Sequence, residues 1–356
     1  MVTIGKRTIG RGNPVFIVLE AGPTHEGIES AKKLVDIAKD AGADAIKFQM
    51  MDVDRLMADK EINFSYNILL DKTDETKVEK VEESLYKILK RRELSKAQWK
   101  ELKLYCQKKE IEFFSTAMFP EEVDFLVDEL EVSSIKLASA DINYVQLIEH
   151  IAKKNVNIQV DTGSADIWEI ERLITLVERH NNQNIIIHLC PTGYPAVLES
   201  IHLNMIPLLK QMFPKYGIAF SDHSPGWEID IAAVALGVNL IEKTITLDRT
   251  TRSCEHMFSL ERENAISFVK SIKKLEKALG QTRRVIPLEV KESRKIARRS
   301  AYLKKELEAG TAITLADIDF RRPGFGIAPD EWLYAEGKTL NKTLKPGDLL
   351  RWEDLK

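Results

Sequence analysis

Eight times between Val15 and about residue 280, a short β-rich run is followed by a longer stretch with apolar residues at helical spacing. No other feature of the 356-residue chain narrows its fold so far. The runs are VFIVL, DAIKF, IEFFS, SIKLA, NIQVD, NIIIHLC, GIAFS and NLIEKTI. Between them lie amphipathic segments such as IESAKKLVDIAKDAGA and SADIWEIERLITLVERH. Each run is too apolar for a sheet with one wet face, so the pattern predicts parallel strands covered on both sides. Eight units in about 265 residues match the usual size of a closed (β/α)8 TIM barrel. A doubly wound open sheet is the structural alternative.

The barrel is expected over residues 1–280. One connection, the second, is much longer than the rest. The polar stretch through LLDKTDETKVEKVEE reads as an elaborated βα loop, either a cover for a site or a mobile surface insertion. Residues 281–298 are basic, lack a clear apolar stripe and read as a linker. Residues 299–356 offer short strands separated by Gly and Pro turns, a small β-rich domain with little core of its own.

Charge and cysteines bound the function. A formal net charge of -3 speaks against a nucleic-acid partner. No stretch is apolar for long enough to cross a bilayer, and the start, MVTIGKRTIG, lacks a signal peptide's apolar core. Cys106, Cys190 and Cys254 have no metal-type spacing and cannot all pair within one chain. A reducing cytoplasm is the expected location.

In a barrel of this kind the C-terminal strand ends converge on one mouth. Strand one ends in Glu20, and strand two carries Lys47. Strand three ends in Ser115 and Thr116, and strand four gives Lys136, Ser139 and then Asp141. Strand five ends in Asp161 and Thr162, and strand six leads to Thr192 and Tyr194. Strand seven ends in Ser221, Asp222 and His223, and strand eight holds Glu242, Lys243, Thr244 and Thr246. Two lysines among hydroxyls suit a phosphate or carboxylate ligand. His223 suits a metal or a proton, and Glu20 is the best-placed acid or base. Each also has a structural reading: a barrel lysine can brace a carboxylate, a loop histidine can be a plain hydrogen-bonding group, and a Tyr before Pro can simply pack. Convergence from eight strands supports a barrel enzyme for an anionic small molecule.

The motifs VLEAGPTHEG, SAKKLVDIAKDAGADAIKFQ, FFSTAMFPEEVDFL, IKLASADINY, VDTGSADIWEIE, LCPTGYP and FSDHSPG together resemble the sialic acid synthase family, in that family's order. ARRSAYLKKELEAGTAITLADIDFRRPGFGI is similar to its C-terminal antifreeze-like (SAF-type) domain. The resemblance implies condensation of phosphoenolpyruvate with the open-chain aldehyde of an N-acylated amino sugar, giving a nine-carbon 2-keto-3-deoxy acid and phosphate for a surface glycan. It implies that Lys47, Thr116, Lys136, Ser139 and Ser221 hold phosphoenolpyruvate and that Glu20 handles protons. Thr192, Tyr194 and Glu255 take sugar-contacting positions. Arg322 reaches the acyl group across a domain-swapped homodimer. His223 is implied as a ligand of Mn2+ or Mg2+.

Four positions depart from the family's pattern. Thr244 stands where a second metal-binding His is usual, and a hydroxyl is a poor substitute for imidazole. Asp161 replaces a hydroxyl near the phosphate and brings negative charge. Ser253-Cys254-Glu255 replaces a Gly-Pro-Asp sugar-binding turn, and Thr24-His25-Glu26-Gly27 replaces Asn-His-Asn-Gly. One account keeps phosphoenolpyruvate, with a remodelled metal shell drawing on Asp222, Glu242, Glu255 or His256 and a different acceptor. The other moves the barrel to another aldol-type lyase or synthase reaction, or to a non-catalytic sugar-binding role.

Overall fold

The computed structural model describes residues 2–280 and 282–356. It opens with an antiparallel hairpin of β1 (Val2–Ile4) and β2 (Arg7–Ile9), which the sequence reading did not anticipate. Gly5, at φ 54, makes the tight reversal between them, a conformation that a Cβ disfavours. The barrel begins with β3 (Phe16–Glu20), whose five residues are all buried, and β4 (Ala45–Gln49). Between them runs the helix Ile28–Ala41, burying Ala31, Leu34, Val35 and Ala38 along one side. It ends because Gly42 turns left-handed and donates its N–H to the carbonyls of Ala38 and Lys39. Burying a leucine such as Leu34 contributes about 1.5–3 kcal/mol.

The long second connection is an ordered antiparallel hairpin, β5 (Asn63–Leu69) with β6 (Val78–Ser84). The barrel then continues through β7 (Glu112–Thr116), β8 (Ser134–Leu137), β9 (Asn157–Asp161), β10 (Ile185–Leu189), β11 (Gly217–Asp222) and β12 (Leu240–Thr244). These eight strands form a closed barrel, with β12 pairing parallel to β3 and Thr244 opposite Glu20. The open-sheet alternative is thereby set aside. Among the described residues, no helix is long and apolar enough to cross a membrane.

The chain divides into two compact units, Met1–Gly280 and Gln281–Lys356. In the second, the stretch read as a linker carries a helix, Leu288–Ala297, none of whose residues is buried. That explains why its apolar residues mark no stripe. Beyond it, β13 (Ser300–Leu303) pairs antiparallel with β14 (Ile318–Arg321). Ala301, Leu303, Ile313, Ile327, Trp332 and Leu340 fill a small separate core.

Candidate active site

Strand parity decides what meets inside the barrel. Glu20, Lys47, Lys136 and Glu242 are inward-facing residues near the C-terminal ends of four different strands, and all are nearly inaccessible. Lys47 pairs with Glu20 and lies 3.2 Å from Glu242. Lys136 lies 2.6 Å from the same Glu242 oxygen and 3.0 Å from Asp161. Ser221 joins this group, 3.3 Å from Lys136 and donating to Glu242 at 3.1 Å. The site is therefore a buried mesh of two ammonium groups and three carboxylates.

Burial disfavours every one of these charges, so each needs its neighbours. For Lys47 the cost of burial is overcome by Glu20, Glu242 and Asp161, which raise its pKa. Burial likewise works against ionised Glu242, yet Lys136 and Lys47 hold its pKa well below the usual carboxylate range. Glu20 goes the other way: burial raises it, Lys47 offsets only part of that, and Glu242 adds to the rise. Glu20 also accepts the Gly22 N–H at 2.6 Å, which fixes the carboxyl against the loop. A carboxyl with a raised pKa beside a lysine is suited to exchange a proton.

Asp161 does not stand as a free repelling charge, as its replacement of a hydroxyl suggested. Lys136 neutralises it directly. Thr116 is buried opposite Lys136 in the β7–β8 register. Ser139 is half-buried in a turn over Ser139–Asp141, and its carbonyl accepts from the Ser164 hydroxyl. Thr192 and Tyr194 lie exposed on the loop after β10. The Tyr194 ring packs on His223 with centroids 4.7 Å apart. Glu255 follows β12 at φ 75 and is half-buried; burial, only partly countered by Arg92, pushes its carboxyl up to about 7. Arg322 is exposed and belongs to the second unit.

Three site features escaped the sequence reading. His188 sits in the middle of an apolar run, yet it registers opposite Asp161 and so faces inward. Gln159, two residues before Asp161, shares that face and bonds to His188 Nε2 at 2.9 Å. A period-two reading of NIQVD together with NIIIHLC carries that signal. Arg92 is the third. Buried at the end of the inserted segment, it donates to Ser253 Oγ at 3.2 Å, Cys254 Sγ at 3.0 Å and the Cys254 carbonyl at 3.4 Å. Nothing local in RREL marks it.

His223 donates its Nδ1–H to the Pro191 carbonyl at 3.2 Å, since a carbonyl only accepts, and Nε2 keeps the lone pair. Burial lowers its pKa, with Asp161 partly opposing, so the ring is a neutral donor atom for a cation or an acceptor for a substrate hydroxyl. Three of the four other donors named for a metal shell, Asp222, Glu242 and His256, are engaged elsewhere. Asp222 and Lys243 form a buried pair with Asp230 and Ser224, on the opposite face of the wall from Glu242. Glu242 is held by two lysines. His256 Nδ1 bonds to Thr246 Oγ1 at 2.7 Å. Among the described residues, no three His, Cys, Asp or Glu gather as a possible metal site. The donor set, one imidazole with a Thr at position 244 in place of a second, does not by itself fit a divalent cation.

Comparisons with known proteins agree with this architecture. Residues 34–284 match the NeuB family, and residues 298–356 match the SAF domain. The N,N'-diacetyllegionaminic acid synthase of Campylobacter jejuni is 32% identical over 339 residues, 94% of this chain and 98% of that protein. The N-acetylneuraminate-9-phosphate synthase of Mus musculus is 30% identical over 353 residues, 98% of this chain and 95% of that one. The crystal structure of the N-acetylneuraminic acid (sialic acid) synthetase of Leptospira borgpetersenii, in complex with citrate, superposes with a TM-score of 0.70 at 30% identity. That match covers 82% of this chain and 94% of the other.

Proposed function

The chain belongs to the NeuB family, and from that premise we propose that it joins phosphoenolpyruvate to an N-acylated amino-sugar aldehyde, giving a sialic-acid-like nonulosonic acid and phosphate. The observation that carries this reading is the mesh of Lys47 and Lys136 at the barrel mouth. Two buried ammonium groups, with Ser221 in contact and Thr116 opposite Lys136, suit a small molecule bearing both phosphate and carboxylate, and Ser139 is assigned to the same ligand. Relatives named as synthases of legionaminic acid and of N-acetylneuraminate 9-phosphate support a nonulosonic product.

In the proposed reaction the methylene carbon of phosphoenolpyruvate attacks the aldehyde carbon, forming the new C–C bond. The aldehyde oxygen takes a proton and becomes a hydroxyl. Water adds to the cationic C2 and loses a proton, and Glu20, with its raised pKa, is placed to receive it. The C–O bond to phosphate then breaks, leaving the 2-keto acid. Thr192, Tyr194 and Glu255 are assigned to the sugar. Arg322 is assigned to its acyl group, supplied by a second copy of the chain in a domain-swapped dimer. No step is assigned to a metal.

The test is phosphate release from phosphoenolpyruvate across a panel of N-acylated hexoses, with and without Mn2+. Release that depends on one class of sugar is the expected result and names the acceptor. A folded protein that releases no phosphate with any sugar overturns the proposal.

A further inference from the structure

Asp161 and His188 stand in an arrangement that the condensation itself does not require. Asp161 Oδ1 is buried without a hydrogen-bond partner, and so is His188 Nδ1; the two atoms are 3.8 Å apart. Which His188 nitrogen carries the hydrogen is decided at the other end of the barrel. Thr3 N–H donates to Asn184 Oδ1 at 2.8 Å, and Asn184 Nδ2 donates to the Thr3 carbonyl at 2.9 Å, so backbone fixes that amide. Asn157 Nδ2 donates to the Asn184 carbonyl at 3.0 Å, which turns Asn157 Oδ1 towards the Ser134 hydroxyl at 2.7 Å. Ser134, its hydrogen used, accepts from Gln159 Nε2 at 2.9 Å. Gln159 Oε1 then requires an N–H, and His188 Nε2 supplies it at 2.9 Å. His188 Nδ1 is therefore a lone pair directed at a carboxylate oxygen. Two acceptors face each other and lack one proton between them.

Charge balance says when that proton arrives. In the free site Lys136 serves both Asp161 and Glu242. An incoming oxyanion competes for the same ammonium hydrogens and adds negative charge where carboxylates already match or outnumber the lysines. Asp161, with 16% of its side chain exposed against 5% for Glu20 and 4% for Glu242, is the most exposed carboxylate of the mesh. We propose that Asp161 takes up one proton when an oxyanion binds Lys136, and that His188 Nδ1 accepts the hydrogen bond which holds that proton. The inference rests on the reading of Lys136 as an anion site.

The groups whose charges reach Asp161 are Lys136 on β8, Lys47 on β4 and His188 on β10, with Cys190, Tyr194 and His223 on the flanking loops. His188 does not bring the proton itself, since burial and then Lys136 hold it down to about 3. Glu242, gripped by two lysines, is a poor acceptor. Glu20 is the competitor for the proton, and variants separate the two.

The experiment is calorimetric titration of the full chain with sulfate, a dianion that does not itself titrate near neutrality, and then with phosphoenolpyruvate. Buffers of different ionisation heat at pH 7 and 8 count the protons. The wild type is expected to take up close to one proton per sulfate and to lose about tenfold in affinity per pH unit. Asp161→Asn is expected to take up none and to bind at least tenfold tighter at pH 8. Asp161→Ser repeats the test if the amide variant folds poorly. His188→Gln is expected to move the uptake to lower pH. Anion binding without proton uptake overturns the inference alone, and so does an undiminished proton count in Asp161→Asn, which would put the proton on Glu20. Failure of the wild type to bind either anion overturns the anion reading of Lys136 as well.

Discussion

At the scale of single residues, Lys136 and Glu242 are the two hubs of the site, each with three partners in it. Lys136 meets Glu242, Asp161 and Ser221 at once. Lys136→Ala removes the proposed phosphate contact, strands Asp161 and leaves Glu242 with Lys47 as its one cation, so two losses are expected together. Phosphoenolpyruvate-dependent turnover should fall by roughly 10²–10³-fold. Stability should fall by about 3–5 kcal/mol, as when one partner of a buried ion pair is removed. Urea unfolding and phosphate release measure these separately, and near-normal turnover in a folded variant would remove Lys136 from the site. Lys47, Lys136, Glu20 and Ser221 were legible in the sequence because strand ends in a barrel converge whatever lies between them. His188 and Arg92 were not. The first is a single polar residue in an apolar run, where only cross-strand register reveals which way it faces. The second has partners about 160 residues away.

At the scale of elements, the eight barrel strands were readable because each is an apolar run buried on both faces, whereas the β5–β6 hairpin was hidden by its own chemistry. One of its strands, VEKVEES, is mostly exposed and charged, and the polar turn DKTDETK precedes it, so composition suggested a loop, although NFSYNIL buries Tyr66, Ile68 and Leu69. Register pairs Asn63 with Ser84 through to Leu69 with Val78, and that cross-strand pairing makes it a sheet. The hairpin region is tied to the loop after β12 by Arg249–Glu75 at 2.8 Å, Arg252–Glu79 at 3.0 Å and the buried Arg92 bonds. The two ion pairs have exposed partners and contribute about 0–1 kcal/mol each. Arg92, out of water and bonded to Ser253 and Cys254, is the stronger tie, and bonds to a charged group are worth about 1.5–3 kcal/mol. Arg92→Leu should therefore loosen residues 248–258 and raise the KM for the sugar more than it lowers kcat. Hydrogen exchange of that loop checks it, and unchanged protection would show that the surface pairs hold the loop alone.

At the scale of the whole molecule, the barrel keeps several imidazoles neutral inside it. Burial, with Arg92 for His25 and His256 and Lys136 for His188, pushes all three down to about 3. An unfolded chain protonates histidine near 6.5, so each contributes stability that is full above 6.5 and is lost as pH falls towards 3. Glu122 and Glu255, both pushed up to about 7 chiefly by burial, act with the opposite sign between 7 and 4.5. The total profile is flatter than the histidines alone would give, and a difference between variants isolates one of them. The stability gap between wild type and His25→Gln should shift against the wild type by about 1.4 kcal/mol for each pH unit below 6.5. Urea unfolding at pH 7, 6 and 5 measures it; a gap that stays constant would mean that His25 takes up its proton in the fold as it does in the unfolded chain. The division into a barrel and a smaller β-rich unit could be read from the change of pattern after Gly280. The helix Leu288–Ala297 could not, since with no buried residue it leaves no amphipathic trace.

The line of amides from Thr3 to His188 has a practical side. The opening hairpin looks like trimming on the far face of the barrel, a place where a purification tag or a shortened start would be thought harmless. Yet the backbone of Thr3 sets which way the Asn184 side chain points, and Asn184 Oδ1 joins its own carbonyl in holding the Asn157 amide, from which the bonds up to the mouth take their direction. Editing the first nine residues thus removes one of two anchors at the far end of a hydrogen-bond line that finishes at the mouth, without touching a single side chain there.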